Sequence, residues 1–260
     1  MAISIRSGRE IDLLRKAGSV VADVLSKLQE VAKPGVSTAE LDNLSIEMAK
    51  SVGAATLFKG VESPYAKRPF PGAICASLNE QVVHGIPSPN VILKDGDLLS
   101  VDFGVKLNGY CGDSAVTMGI GKVAAENQKL MDVTKHLLDI AIEKSAPGIK
   151  WSEVAGEMEK YAKSAGFSVV EDFVGHGIGT EMHEDPKVPN FVNRELLRND
   201  ILLREGMILA VEPMVNVGTK SVKMLKDGWT VVTKDSKNSA HFEHTIAIVK
   251  SGCEVLTAGA

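Results

Sequence analysis

The feature of this sequence that most restricts its fold is a gapless internal repeat. Residues 34–53 recur at residues 147–166, which is 113 positions later, with seven identities over 20 positions. Two unrelated amphipathic helices would share about one or two residues through composition alone. The chain therefore contains two related halves. Two copies with so long a period are too few for a solenoid.

Each copy of the repeat predicts a turn, a helix and a helix stop. Both copies open on a Pro-Gly pair, which is typical of a turn. In the first copy, Ser37 and Glu40 have the spacing of a capping box. Gly53 and Gly166 end the two copies, where a helix C-cap favours a residue that tolerates positive φ.

Further elements are predicted on either side of the two copies. Apolar residues recur at helical intervals before each copy, and strand-like apolar runs follow it. The long helices are expected at residues 7–31 and 125–144, and the strand-like runs at residues 91–107 and 208–217. We therefore predict an α+β fold of two pseudo-symmetric helix-helix-strand halves, roughly 7–115 and 120–250. The simplest organisation is a single domain over residues 1–260.

Two proline-bearing segments, Lys59–Asn79 and Met182–Arg204, are predicted to be loops. Neither resembles a flexible Gly/Ser linker. In a chain that is otherwise so regular, long loops of this kind are where the walls of a pocket are found.

Charge and hydropathy exclude several classes of partner. The 29 Lys+Arg and 33 Asp+Glu leave a net charge of −4, which argues against electrostatic binding to nucleic acid or to an anionic membrane. The N-terminal segment becomes charged before an apolar core of signal-peptide length appears, and no run of 18 apolar residues occurs, so we expect a cytoplasmic protein. Three scattered cysteines without CxxC spacing fit a reducing compartment and predict no thiolate zinc site.

A predicted hairpin brings two aspartates together. Asn108-Gly109 lies between two alternating stretches and predicts a type I′ turn, in which paired positions sum to 217. This register places Asp113 opposite Gly104, so Asp102 and Asp113 become diagonal neighbours on one face, within reach of a common ligand. Buried carboxylates need a counter-charge, which a metal ion supplies. A solvated sheet face would accommodate the same pair without a ligand.

Three further residues in apolar contexts also favour a metal site. His176 stands in Gly-His-Gly-Ile-Gly, and Glu212 and Glu243 each interrupt an apolar strand-like run. A lone carboxylate in such a run is costly unless it is paired or bound to a metal, and neutral imidazole is the commonest metal ligand. The alternatives are a nucleotide loop at the glycines and ion pairs between the glutamates and basic residues. Four carboxylates with one histidine are too oxygen-rich for structural zinc and suit two divalent first-row ions.

The ordered motifs resemble those of the type I methionine aminopeptidases, which have the pita-bread (creatinase/aminopeptidase) fold. The segments that carry the resemblance are Val-Asp102-Phe-Gly, Gly-Asp113-Ser, Gly-His176-Gly-Ile-Gly, Val-Glu212-Pro-Met, Phe-Glu243-His-Thr, Asn79-Glu-Gln-Val-Val-His84-Gly-Ile-Pro87 and Lys226-Asp-Gly-Trp229-Thr-Val-Val-Thr. The resemblance as a whole covers nearly the whole chain. The internal pseudo-twofold symmetry of that fold also accounts for the repeat.

The resemblance implies a dinuclear metallohydrolase that removes an initiator methionine when the second residue is small. By the family pattern, Asp113 and Glu243 bridge two metal ions. Asp102 chelates one ion, and His176 with Glu212 completes the other. A metal-activated hydroxide attacks the first peptide bond, and Glu212 takes and returns the proton.

The resemblance also implies substrate contacts. His183 hydrogen-bonds the substrate carbonyl as it becomes an oxyanion, and His84 contacts the scissile amide nitrogen. Methionine selectivity requires an apolar pocket with aromatic or polarizable walls. Trp229 matches a family pocket position, and Tyr65 or Phe70 is expected to form another wall.

The sequence departs from the family pattern at three places near this pocket. Met182 precedes His183 where an aromatic residue is frequent, the loop at residues 58–71 is longer, and residues 190–205 are expanded and charged. These departures concern the lining of the pocket rather than the metal ligands. Three other histidines are not expected to be ligands: His136, His241 and His244.

Two other functions are compatible with the same fold. An X-Pro aminopeptidase generally carries an added N-terminal domain, for which a chain whose first ligand is Asp102 has no room. A non-catalytic pita-bread binding module lacks ligands, and all five are present here. We therefore expect the peptidase.

Several properties of that peptidase follow from the resemblance and the composition. The expected substrates are N-terminal methionine peptides of nascent chains. The enzyme is expected to be a monomer that contacts the ribosome transiently. Neither a membrane nor a specific nucleic acid is an expected partner. The ligand set accepts Co, Mn, Fe, Zn or Ni. The chain itself begins Met1-Ala2, so it carries the expected substrate motif.

Overall fold

The structure, a computed structural model, describes residues 3–259, which contain five helices and fifteen strands. The Met1-Ala2 motif lies outside the described residues. The helices are α1 (Gly8–Val31), α2 (Thr38–Ser51), α3 (Ala125–Lys144), α4 (Trp151–Ser164) and α5 (Arg194–Arg198). The strands are β1 (Ala55–Thr56), β2 (Ile74–Leu78), β3 (Gln81–Val83), β4 (Leu98–Leu107), β5 (Tyr110–Gly119), β6 (Ser168–Val169), β7 (Gly175–Gly177), β8 (Glu184–Val188), β9 (Ile208–Val211), β10 (Met214–Asn216), β11 (Val222–Met224), β12 (Val231–Thr233), β13 (Ser239–His241), β14 (Glu243–Val249) and β15 (Gly252–Val255).

The two copies of the repeat fold alike. The helices α2 and α4 begin and end 113 positions apart, as the two copies do. Ser37 N–H donates to Glu40 Oε2 at 2.7 Å, which confirms the capping box. Gly53 and Gly166 have φ values of 72° and 89°, so both helix stops use the left-handed conformation that glycine adopts without strain.

The turn before each repeated helix is tied to the chain segment that leads into the next strands. Ser37 forms an isolated antiparallel bridge with Ile92. At the equivalent place in the second half, Lys150 forms one with Leu202. The predicted pseudo-symmetry of two helix-helix-strand halves is therefore confirmed in backbone pairing as well as in helix bounds.

A nine-stranded sheet joins the halves. Its order is β1-β4-β5-β14-β9-β7-β8, with β2 added beside β4 and β15 beside β14. The β4–β5 hairpin of the first half meets the second half at β14, where Ala115 pairs with Glu243. The five central strands of this order thus come from both halves.

The hairpin has the predicted register. Leu107 pairs with Tyr110, and Gly104 pairs with Asp113. Asn108 has a φ of 51° and Gly109 a φ of 84°, as a type I′ turn requires.

Helix α1 lies unusually close to the sheet. A Cβ on Gly18 would come 2.1 Å from the carbonyl oxygen of Leu256, and one on Gly112 of β5 would come 2.8 Å from Gly18 N. Only glycine allows these two backbones to approach so closely. None of the helices within residues 3–259 is long and apolar enough to span a bilayer.

The two predicted loops contain regular structure, which corrects the sequence interpretation. Lys59–Asn79 includes β2. The first four residues of β2 are all buried, so its sequence lacks the alternation of apolar and polar residues that indicates a strand. Met182–Arg204 includes β8 and α5. Pro186, one of the two prolines that indicated a loop, is tolerated in β8 because β8 is the last strand of the sheet order.

The two strand-like runs are confirmed in part. The run at residues 91–107 contains β4, which begins only at Leu98. The run at residues 208–217 is divided into β9 and β10 by Glu212 and Pro213.

Candidate metal centre and substrate pocket

All the predicted site residues except Tyr65 converge on one pocket of about 190 Å³. At its floor lie the five side chains expected to be metal ligands: Asp102, Asp113, His176, Glu212 and Glu243. Its apolar walls include Phe58, Phe70, Cys75, Met182 and Trp229. His84 and His183 complete the lining.

Each of the five floor residues lies on, or directly after, a different strand of the central sheet. In sheet order they are Asp102 on β4, Asp113 on β5, Glu243 on β14, Glu212 directly after β9, and His176 on β7. These strands are consecutive neighbours, so their side chains reach one place although they are far apart in sequence. The sheet junction between the halves therefore builds the floor of the site.

Several oxygen atoms at this floor are buried and have no hydrogen-bond partner among the described residues. They are Oδ1 of Asp102, Oδ1 of Asp113 and Oε1 of Glu243. One ligand atom from each of Asp113, His176 and Glu243 lies within 4.8 Å of the others. Buried carboxylate oxygens without donors are costly. A divalent cation with a preference for oxygen and imidazole fits this set.

Burial raises the pKa values of the four floor carboxyls, and repulsion between neighbouring carboxylates raises three of them further, so these values also favour a bound positive charge. Burial raises the pKa of Asp102 to about 7. Burial and the charges of Asp102 and Glu212 raise the pKa of Asp113 well above its ordinary value. The pKa of Glu243 is raised by burial and by Asp113, and that of Glu212 by burial and by Asp102. Without a cation, the folded chain holds protons here that a metal ion would displace.

His176 is held in the neutral form that binds metals. Burial, and then the neighbouring His183, lower the pKa of His176 to about 4. Its Nδ1 lies 2.9 Å from the carbonyl oxygen of Gly177, which can only accept, so Nδ1 carries the proton. Nε2 keeps its lone pair and lies 3.7 Å from Glu212 Oε1.

The two histidines at the edge of the pocket are also neutral near pH 7. The His183 ring centroid lies 4.4 Å from that of His176, at an interplanar angle of 71°. Burial lowers the pKa of His183, and burial together with His183 lowers that of His84 to about 4. The His84 ring meets Phe173 edge-on at 5.6 Å. Neutral imidazoles in these places can donate a hydrogen bond to a substrate.

The apolar wall is aromatic and closely packed. Phe70 and Trp229 meet edge to face with ring centroids 5.2 Å apart. Trp229 Nε1 donates to the carbonyl oxygen of Arg68 at 3.1 Å, which fixes the indole. Phe58, Cys75 and Met182 belong to the same apolar cluster.

Tyr65 does not form the other wall, contrary to one of the two sequence expectations. Its side chain is 74% exposed and does not line the pocket. The backbone of Tyr65, rather than its ring, is packed inward, because a Cβ on Gly228 would come 2.2 Å from the Tyr65 carbonyl oxygen. Phe70 is therefore the second aromatic wall.

Three contacts of the site were missed by sequence reasoning. Cys75, interpreted only as a small buried residue, pairs with Asp102 across β2 and β4 and lines the pocket. His241 is 2% exposed, and its Nε2 lies 3.8 Å from Glu212 Oε2. Asn190 is fully buried and donates its Nδ2–H to the Glu212 carbonyl oxygen at 3.0 Å. The only sequence signal was the placement of Asn190 and His241 in apolar surroundings.

A wider cleft of about 720 Å³ leads away from the same floor. It shares Asp102, His176 and Glu212 with the apolar pocket and passes Phe173 and Lys187. The site thus has a small apolar end and a broader end that is lined by both charged and apolar residues.

Sequence comparison identifies relatives of the whole chain. The family model described as metallopeptidase family M24 matches residues 12–250. A methionine aminopeptidase of Clostridium acetobutylicum is 46% identical over 255 residues, which is 98% of each chain. Methionine aminopeptidase 1 of Bacillus subtilis is 44% identical over 98% of this chain and 99% of its own.

Structural comparison leads to the same group. The crystal structure of methionine aminopeptidase from Thermotoga maritima superposes with a TM-score of 0.92 at 39% identity, covering 99% of this chain and 100% of that one. An Xaa-Pro dipeptidase from Bacillus anthracis, at 21% identity and a TM-score of 0.76, covers 98% of this chain and 62% of its own, and shares the fold alone. Because the similarity extends over the full length of the chain and the pocket floor contains candidate metal ligands, the chain belongs to metallopeptidase family M24, among the methionine aminopeptidases.

Proposed function

We propose that this chain is a methionyl aminopeptidase, a metal-dependent hydrolase that removes N-terminal methionine from newly made proteins whose second residue is small. The observation that carries the proposal is the junction of a metal-ligand floor with a small aromatic pocket of about 190 Å³. Such a pocket accepts one apolar side chain, and the wider cleft leaves room for the rest of a polypeptide.

The five floor residues would hold two divalent ions, drawn from Co, Mn, Fe, Zn and Ni: Asp102, Asp113, His176, Glu212 and Glu243. When bound, these ions would polarise a carbonyl and lower the pKa of water to near neutral. Asp113 and Glu243 lie between Asp102 on one side and Glu212 and His176 on the other in sheet order. This middle position supports Asp113 and Glu243 as the ligands that both ions share.

The remaining chemistry is assigned to side chains of this pocket. Glu212 takes a proton and returns it to the leaving amine, and its position in the lining of both the apolar pocket and the wider cleft supports this role. His183 donates a hydrogen bond to the substrate carbonyl oxygen as negative charge develops there. His84 contacts the scissile amide nitrogen, and Phe70, Met182 and Trp229 contact the methionine side chain.

The organisation of the chain and its cellular setting complete the proposal. The sheet that takes strands from both halves supports a single catalytic domain over residues 1–260. The three free cysteines support action in the cytoplasm. The enzyme works there as a monomer on N-terminal methionine peptides of nascent chains, in transient contact with the ribosome.

A peptide assay tests this function. The purified chain is loaded in turn with Co, Mn, Fe, Zn or Ni, and free methionine is measured from Met-Ala-Ser and from a matched Met-Leu-Ser peptide. We expect release from the first peptide and at least about 100-fold less from the second, because the resemblance implies substrates whose second residue is small. Absence of release with every metal contradicts the proposal, and metal analysis of freshly purified protein identifies the resident ion.

A further inference from the structure

The third glycine of the Gly-His-Gly-Ile-Gly motif lies beneath an ion pair that the proposed reaction does not use. A Cβ on Gly179 would come 2.1 Å from Arg6 Nη2 and 2.7 Å from Glu184 Oε1. The absence of a side chain at Gly179 therefore lets these two charged groups meet directly above the backbone. This accounts for the glycine without invoking a ligand.

Arg6 and Glu184 are closely paired and nearly buried. Arg6 Nη2 donates to both carboxylate oxygens of Glu184, at 2.6 and 2.5 Å. Their side chains are only 11% and 15% exposed. Arg6 N–H also donates to the carbonyl oxygen of Gly206 at 2.7 Å, which anchors the segment before α1. Charge-assisted hydrogen bonds with so little solvent are among the stronger polar contacts in proteins.

The Glu184 carboxylate also accepts hydrogen bonds from the turn that follows Gly179. Glu184 Oε1 accepts from Thr180 N–H at 2.8 Å, from Thr180 Oγ1 at 3.3 Å and from Glu181 N–H at 3.2 Å. Burial by itself would raise the pKa of Glu184, but the Glu181 N–H and Arg6 hold it below its ordinary value. The carboxylate is therefore an ionised acceptor for both ends of this network.

The turn closed by this network carries His183. Strand β7 ends at Gly177 and β8 begins at Glu184, so His183 is the last residue of the connection and the neighbour of the paired carboxylate. Its ring lies against His176 at the metal-ligand floor. A displacement of the turn would move the His183 ring relative to that floor.

We propose that Arg6 is a positioning residue that acts through Glu184 to hold the 178–183 turn and thereby the His183 imidazole. The inference rests on the proposed function for the role of His183 in the reaction, but the positioning itself is a property of the fold. Arg6 belongs to the segment before the first half of the repeat, so a residue outside both halves helps to set the active-site geometry through Glu184 of the second half.

Amide hydrogen exchange in the metal-free full chain tests the positioning independently of activity. In Arg6→Met, the amide protons of Thr180 and Glu181 are expected to exchange at least about 10-fold faster, because their acceptor is no longer held in place. Arg15→Met is the matched control: Arg15 Nε pairs with Glu254 Oε1 at 2.6 Å and also ties α1 to a distant segment. Unchanged exchange in Arg6→Met, or an equal increase in Arg15→Met, overturns the inference.

A double-mutant cycle tests the consequence for the reaction. Arg6→Met is expected to lower kcat/KM for Met-Ala-Ser about 10-fold in the otherwise wild-type chain and less than about 2-fold in His183→Ala. Arg6→Lys, which keeps one charged donor, is expected to recover most of the loss. Equal losses in both backgrounds would mean that Arg6 affects stability alone.

The two experiments separate failure of this inference from failure of the proposed function. If the wild-type chain releases no methionine with any metal, the function is wrong, whereas the exchange rates still decide whether Arg6 holds the turn. If Arg6→Met does not fold, Arg6→Lys and Glu184→Gln are compared by exchange, and faster exchange of Thr180 is expected in Glu184→Gln. No change there overturns the inference.

Discussion

At the scale of single residues, the chemistry depends on carboxylates placed where water cannot neutralise them. Glu212 illustrates this. Its side chain is 14% exposed and its carboxylate lies 3.7 Å from His176 and 3.8 Å from His241, both of which burial keeps neutral. Among the described residues, no positively charged side chain therefore lies at the carboxylate oxygens of Glu212. A metal ion on one side and a proton to be transferred on the other suit such a residue.

Replacement of Glu212 by glutamine tests this role. Glu212→Gln keeps the shape of the side chain but cannot accept a proton, so kcat for Met-Ala-Ser is expected to fall by about 100-fold to 10,000-fold. The matched control is Glu30→Gln, whose carboxylate is 62% exposed on α1 and which is expected to leave kcat unchanged. Retention of most activity in Glu212→Gln would show that another group is the base.

The aromatic wall makes a second residue-scale prediction. Trp229→Ala or Phe70→Ala removes half of the edge-to-face pair, so KM for Met-Ala-Ser is expected to rise about 10-fold or more. Tyr65→Ala is the control, because its exposed ring lies outside the pocket. Steady-state kinetics of the three variants decide between the two aromatic positions, and a larger effect at Tyr65 than at Phe70 would contradict the wall described above.

At the scale of elements, the approach of α1 to the sheet is set by small residues. Gly18 on the helix and Gly112 on β5 face each other, and the backbone of Leu256 lies on the other side of Gly18. The helix that precedes the first repeat copy is thus fixed against the strand that carries Asp113. A change in this contact acts on the whole element rather than on one side chain.

Gly18→Ala is expected to destabilise the fold. A methyl group at 2.1 Å from the Leu256 carbonyl oxygen forces a backbone shift, so the free energy of unfolding is expected to fall by about 1–3 kcal/mol. In Gly8→Ala, at the start of the same helix, nothing lies within 4 Å of the added methyl group and no loss is expected. Urea unfolding of both variants measures the difference, and equal midpoints would refute this account of the helix contact.

At the scale of the whole molecule, the negative charge is concentrated in one place. Of the 33 acidic residues, four lie at the floor of the site, so the rest of the chain balances at 29 − 29 = 0. Burial raises the pKa of all four. The fold therefore contains a site that opposes its own ionisation until a cation is bound.

Metal removal is expected to destabilise the chain in a pH-dependent way. The pKa of Asp102 is raised from 3.8 to about 7, so its stabilisation of the metal-free fold is complete only below about pH 4 and is lost as the pH rises to about 7. Metal ions bind the deprotonated carboxylates, so the stabilisation by metal is expected to grow over the same range. Burial lowers the pKa of His84 and of His244 to about 4, so these two residues stabilise the fold more as the pH rises. Because this contribution is the same with and without metal, it cancels when the two samples are compared.

Urea unfolding with metal and with chelator, at about pH 5 and about pH 7, measures this difference. The gap between the two midpoints is expected to be larger at the higher pH. A gap that is constant or that narrows would show that these carboxylates are not the groups that bind the metal.

Much of the fold could be predicted because its signals are local. Asn108-Gly109 determines the hairpin register from two residues, since positive φ at both positions selects one turn. Pro-Gly turns and glycine stops mark the helices in the same way. The ligand candidates were visible as well, because Glu212 and Glu243 are charges within apolar runs.

The parts that could not be predicted depend on partners far away in the chain. Cys75 reaches the pocket only because β2 pairs with β4. The sequence does not reveal β8 because its Pro186, which indicates a loop, is tolerated at a sheet edge. The sequence does not distinguish Tyr65 from Phe70 as the second wall of the pocket, because both are aromatic residues of one loop. Which of them faces the pocket depends on the contact of the loop backbone with Gly228.

By itself, the sequence determined the two-half organisation, the bounds of the four long helices, the hairpin and the set of charged residues that are candidate metal ligands. The tertiary structure alone decided the order of the strands, which brings one candidate ligand from each of five neighbours together, and the contact of Arg6 with Glu184 across 178 positions. The physical reason is the distance along the sequence over which each interaction acts. Turns, caps and periodicity act within a few residues, whereas a site is made by burial and pairing between segments whose separation leaves no pattern in the chain.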